Sequence, residues 1–219
     1  MLAAAGGKTL WYLTRGTGMT ALLLLTTTVA LGIVEVKRWH SPCWPRFVTA
    51  GLHRNVSLLS VAFVAAHVAT TVVDGYAPIG WLDAVIPFQS PYRPIYLGLG
   101  AVAFDVLLAL VATSLLRGRL GYQAWRAVHW AAYGCWPVAV VHGLGTGTDT
   151  THGWALAIYG LCLAAVVAAV WWRLAEAWRI QAESGPASVS VVSATVLSVV
   201  VPAGIVIWLF VGPLRPGWA

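Results

Sequence analysis

The sequence predicts an all-α integral membrane protein, a six-transmembrane-helix bundle forming one domain over residues 1–219, and three observations carry that prediction. Hydrophobic residues make up 59% of the chain and charged residues only 9%, where a soluble domain has roughly a quarter charged. Six separate apolar runs each approach the ~20 residues a helix needs to cross the hydrocarbon layer. Lysine and arginine gather beside the ends of those runs, where they set orientation. The net charge of +6 therefore reads as membrane topology and gives no support to nucleic-acid binding.

Taken in order, the first helix runs from about Leu10 to Val36, with Trp11 and Tyr12 as interfacial anchors. Its apolar run continues past Ala30-Leu31-Gly32, so it is expected to be a retained helix and not a cleaved signal peptide. The stretch Trp39–Arg46 holds two prolines and two tryptophans and reads as an irregular segment at the membrane surface. A second helix covers about Gly51–Val73. The loop Asp74–Pro94, with two acids and four prolines, is expected to fold back in part as an amphipathic cap.

Helix three, about Ile95–Leu116, carries Asp105 near its middle; an acid there calls for a partner, with Arg15 the candidate. Helix four runs from about Tyr122 to Leu144 and helix five from about Trp154 to Arg179. A polar linker, Gln181–Ser188, leads to helix six, about Val189–Val211, which is additional to a core of about residues 10–179. The glycines between Gly143 and Gly147 lack a following Lys-Ser/Thr and read as a turn. Lys37, Arg38, Arg46 and Arg54 follow helix one, Arg117, Arg119 and Arg126 follow helix three, and Arg173 and Arg179 end helix five. Those loops are expected in the cytoplasm, and both termini outside.

Four histidines give this architecture a chemistry. His53 and His67 stand near the two ends of helix two, and His129 and His142 near the two ends of helix four. On the expected topology they match by depth, at two levels about 20 Å apart at 1.5 Å rise per residue. An imidazole in hydrocarbon is costly unless paired or ligated. Two per level suit a metal centre with two axial ligands, and histidine is a common axial ligand of haem. Two histidines on one iron leave no open position, which favours electron transfer over oxygen binding.

The spacing is uneven, however. Fourteen residues at 100° return to within about 40° of the starting face, but thirteen miss by about 140°. Helix four therefore needs a change of winding, and Pro137, which removes one helical hydrogen bond, is the expected place. Cys43, Cys135 and Cys162 form no Cys-x-x-Cys-His word, so any haem is bound without thioether links. His40 and His152 read as loop residues, and His40 with Cys43 is too sparse for zinc.

The words Gly51-Leu52-His53-Arg54 with His67, Trp125-Arg126-Ala127-Val128-His129, and His142-Gly143-Leu144-Gly145 resemble the ferric reductase-like transmembrane family, which includes ferric reductases, NADPH oxidases and the haem subunit of bacterial methionine sulfoxide reductase. The resemblance covers about Leu10–Arg179, and the words around His129 and His142 also look like bacterial members, which implies a bacterial plasma membrane. It implies two b-type haems between helices two and four, the inner one on His53 and His129 and the outer one on His67 and His142. Many relatives continue into a flavin and nicotinamide domain, whereas this sequence contains no Gly-rich nucleotide fingerprint. Electrons are therefore expected from a separate flavoprotein, a reduced flavin (FMN or FAD) or a quinol.

Arg15, Arg54 and Arg126 are candidates to face haem propionates, since guanidinium pairs well with carboxylate; contact with lipid headgroups serves them equally. Trp136, with Tyr133, lies between the histidine levels and is a candidate to pack between the haems, or simply within the bundle. The resulting expectation is an oxidoreductase component passing electrons across the bilayer to ferric iron, oxygen or a partner reductase outside. One alternative is a quinol-oxidising haem subunit feeding a separate extracytoplasmic reductase. An alternative of another class is a haem-binding or transport protein without electron flow.

Overall fold

Apolar runs with no water to hydrogen-bond their backbone must close those bonds internally, and helices do so within one segment. In the structure, a computed structural model that describes residues 2–36, 45–75, 77–184 and 188–214, every long apolar run is helical. The helices are α1 (Leu2–Val36), α2 (Arg46–Asp74), α3 (Pro94–Leu115), α4 (Arg117–Leu120), α5 (Tyr122–His129), α6 (Ala132–Thr146), α7 (Gly153–Ser184) and α8 (Val189–Val211). Lys37, Arg38, His40 and Cys43, which entered the topology and surface readings, lie outside the described residues.

Among the described residues, five helices are long and apolar enough to cross a membrane: α1 from Lys8, α2, α3, α7 to Glu183, and α8. This is one fewer than the sequence predicts, because the expected fourth helix divides. After α5 the chain turns at Trp130 and Ala131 before α6 begins. At 15 residues, α6 is about 22 Å long, short of the ~30 Å layer. Neither α5 nor α6 spans by itself.

The break also relocates the expected change of winding. Ala131 donates to the carbonyl of Val128 at 2.9 Å, Tyr133 to Trp130 at 3.2 Å and Gly134 to Ala131 at 3.0 Å, all three residues back. Such bonds wind the backbone at about 120° per residue instead of 100°. Over three residues that adds about 60° of the 140° that a thirteen-residue interval lacks. Pro137 lies inside continuous α6. Its missing N–H and bulky ring act on the carbonyl four residues earlier, that of Tyr133, so the tight winding sits one turn before the proline.

The chain forms two compact units. One comprises Met1–Leu25 with Ser57–Thr148 and the other Thr26–Val56 with Asp149–Ala219. In the first, α3 and α6 pack along their lengths, with the Cys135 thiol donating to the Ala103 carbonyl at 3.3 Å. Pro94 opens α3 at a position where its absent N–H is no loss. The loop before it folds onto α3 through a short 3-10 turn, Trp81–Ala84. There the Asp83 carboxylate accepts the Gly80 N–H at 2.7 Å. In the second unit α7 packs against α8, and the Trp178 indole donates to the Thr195 hydroxyl at 2.9 Å.

Much of the remaining apolar surface, including Val196, Leu197, Val199, Val200, Ile207 and Phe210 on α8, is exposed. A lipid layer is the solvent that suits such a surface. Helix hydroxyls are turned back onto their own backbone: Thr17 bonds Leu13, Thr70 bonds Ala66 and Thr113 bonds Ala109, at 2.6 to 2.8 Å. In hydrocarbon such bonds remove the cost of a bare hydroxyl.

Candidate functional site

His67 on α2 and His142 on α6 belong to the same unit, and their rings approach to 6.3 Å between centroids, with planes 80° apart. Each ring is tied from behind. His67 Nδ1 donates to the Thr14 carbonyl at 2.8 Å, and His142 Nδ1 to the Tyr96 carbonyl at 2.9 Å. A carbonyl oxygen only accepts, so in both neutral rings the proton is on Nδ1 and Nε2 keeps its lone pair. Metal-bound histidines are oriented by this kind of bond. The histidines' own carbonyls accept the hydroxyls one turn on, Thr71 to His67 at 2.6 Å and Thr146 to His142 at 2.8 Å.

His53 has the same kind of anchor within the other unit, its Nδ1 lying 3.1 Å from the Thr28 carbonyl. His129 is held differently. Its ring stacks on Trp125 of the same helix, with centroids 4.8 Å and planes 25° apart. Trp125 is in turn fixed by its indole N–H to the Ser114 hydroxyl at 3.2 Å and by the Arg117 guanidinium 4.3 Å from its ring.

The family described as "Ferric reductase like transmembrane component" matches residues 16–140, more than half of the chain. The chain belongs to that family. The matched span contains His53, His67 and His129 and stops two residues before His142. No curated protein and no solved structure matches the chain. Membership in the ferric reductase-like family points to transmembrane electron transfer as the general role, and the membrane-crossing helices agree with it.

The family implies haem. Two imidazoles sharing one metal at bonds of about 2.0 Å would have their ring centroids roughly 6 Å apart. The 6.3 Å between His67 and His142 fits that arrangement. Among the described residues no group of three or more His, Cys, Asp or Glu side chains is placed to hold a metal ion. If a haem binds at this level, His67 and His142 would be the residues to hold it.

The other sequence candidates are distributed differently. Arg15, in the same unit as the pair, has its guanidinium 3.6 Å from the Trp11 ring centroid and bonds the Thr148 hydroxyl. That takes it away from the expected ion pair with Asp105, which is half-buried and makes no hydrogen bond or ion pair among the described residues. Arg54 and Arg126 are exposed, and Trp136 is buried in α6. His152 is paired with Asp149 at 3.8 Å.

Sequence reading missed Arg93. It takes a left-handed backbone at φ 41° before α3, and its guanidinium donates to the Gly145 carbonyl at 2.6 Å, tying the loop to the end of α6 beyond His142. It also missed Thr14, Thr28 and Tyr96, whose carbonyls hold three of the rings.

Proposed function

We propose that this ferric reductase-like protein carries electrons across a bacterial plasma membrane through two b-type haems, each held by two histidines. His67 and His142 would hold the outer haem, and His53 and His129 the inner one. The observation that carries the reading is the outer pair: two imidazoles 6.3 Å apart, both with Nδ1 tied back to helix carbonyls. Two imidazoles at one level would suit a group that brings its own equatorial donors, as haem does. When bound, haem supplies a one-electron couple, ferric to ferrous, with no coordination site left for substrate.

The chain's own part is to fix the two levels and to exclude water. His53 and His67 are fourteen residues apart on one helix, which separates the levels by about 21 Å. In this reading α5 and α6 together form a sixth, interrupted crossing, so the bundle is a single membrane domain. Arg117, Arg119 and Arg126 mark the cytoplasmic side. The donor is a separate flavoprotein, reduced flavin or quinol on that side, and the acceptor is ferric iron, oxygen or a partner reductase on the other. Arg15, Arg54 and Arg126 remain candidates for the haem propionates, and Trp136 for the space between levels.

Proteoliposomes test this directly. With a ferric complex sealed inside and reduced flavin supplied outside, protein-containing vesicles should reduce the trapped iron much faster than protein-free ones. A haem-containing preparation that reduces no trapped acceptor with flavin or quinol would leave a haem-binding protein without electron flow.

A further inference from the structure

The three carbonyl-tied histidines share a second contact. A Cβ added to Gly18 would lie 2.9 Å from the His67 ring and one on Gly32 3.3 Å from the His53 ring, while one on Gly100 would collide with the His142 ring. Each glycine stands four residues after the residue whose carbonyl accepts that ring: Thr14 and Gly18, Thr28 and Gly32, Tyr96 and Gly100.

Helix geometry explains the interval. The carbonyl of residue i already accepts the N–H of residue i+4 and has a second lone pair to offer. Side chains on a helix lean toward its N-terminus, so the side chain of residue i+4 covers that carbonyl. A glycine at i+4 uncovers it and lets the imidazole lie against the backbone. On α1 the two seats repeat at fourteen residues, the same interval that separates His53 from His67 on α2.

We infer that Gly18, Gly32 and Gly100, each with the carbonyl four residues before it, are positioning residues that fix the tautomer and plane of His67, His53 and His142. This rests on the haem reading. At the outer level the seats of Gly18 and Gly100 hold the two ring planes 80° apart. Near-perpendicular axial imidazoles give a ferric low-spin haem a strongly anisotropic electron paramagnetic resonance signal, and turning either ring toward the other reduces the anisotropy.

The test uses purified haem-loaded full-length protein and the variants Gly18→Ala, Gly32→Ala and Gly100→Ala. Gly16→Ala is the control, because a Cβ there, on the same helix, meets nothing within 4 Å. Gly18→Ala and Gly100→Ala should shift the most anisotropic signal or release the outer haem. Gly32→Ala should perturb the other haem, and Gly16→Ala neither. Wild-type signals in both Gly18→Ala and Gly32→Ala would overturn the inference, as would equal changes in Gly16→Ala. If Gly100→Ala fails to accumulate, the milder contacts at Gly18 and Gly32 decide. If the wild-type chain binds no haem, the proposed function fails on its own. The ¹⁵N shifts of His67 and His142 in haem-free protein then still report the seats, with Nδ1–H supporting them and Nε2–H rejecting them.

Discussion

The His67 and His142 rings lie 6.3 Å apart between centroids, and both donate Nδ1–H to a helix carbonyl, Thr14 in one case and Tyr96 in the other, which leaves Nε2 as the nitrogen with the lone pair. Replacing either ligand should then remove the same haem. His67→Ala and His142→Ala should each lower the haem content from about two to about one per chain, by the two-ligand logic of a closed haem site. The remaining haem should have the same spectrum in both variants. Different residual spectra would separate the two residues.

Trp125→Leu should act at the other level. The indole lies under the His129 ring and over its own contacts with Ser114 and Arg117. Aromatic pairs of this kind contribute about 0.5–1.5 kcal/mol beyond area burial. The expected result is a shifted potential or lower occupancy for the haem held by His129, with the His67 and His142 haem unchanged in redox titration. An unchanged titration of both would show that Trp125 only packs.

Arg93 gives a prediction about stability. Its guanidinium bond to the Gly145 carbonyl is charge-assisted and stabilises by about 1.5–3 kcal/mol. Its left-handed backbone costs about 1–2 kcal/mol in a residue with a Cβ. Arg93→Ala loses the bond and keeps the strain, whereas Arg93→Gly loses the bond and relaxes the backbone. Thermal melts in detergent should rank wild type above Arg93→Gly and Arg93→Gly above Arg93→Ala. Equal melting of the two variants would remove the strain from this account.

Two glycines on α1 separate helix propensity from the seats. Gly16 has open space where a Cβ would go, so Gly16→Ala should raise stability by about 0.5–1 kcal/mol through propensity alone. Gly18→Ala has the same propensity gain but meets His67 at 2.9 Å, and should melt below Gly16→Ala. The reverse order would mean that the ring yields without cost.

Much of this was legible before the fold. Long apolar runs locate helices well because the bilayer demands closed backbone hydrogen bonding: α8 has the expected bounds and α3 differs by one residue at each end. The first helix starts earlier than expected, at Leu2, and α2 at Arg46, since a helix closes its backbone hydrogen bonds within its own segment and can continue beyond the apolar run. The turn at Trp130 and Ala131 was not legible, because neither residue breaks a helix and the visible signal, Pro137, lies one turn later. The histidine spacing stood out because imidazole is rare in lipid. The seats beneath three of the rings were present as Thr-x-x-x-Gly at positions 14 and 28, yet a helical glycine has no chemistry of its own and gains meaning only from the ring beside it.

The most direct measurement of the central claim is haem content against protein content in the purified chain, read from the reduced b-type spectrum and repeated in His67→Ala. The account predicts about two non-covalent haems in the wild type and about one in the variant. One haem or none in the wild type, or two retained in His67→Ala, would contradict it.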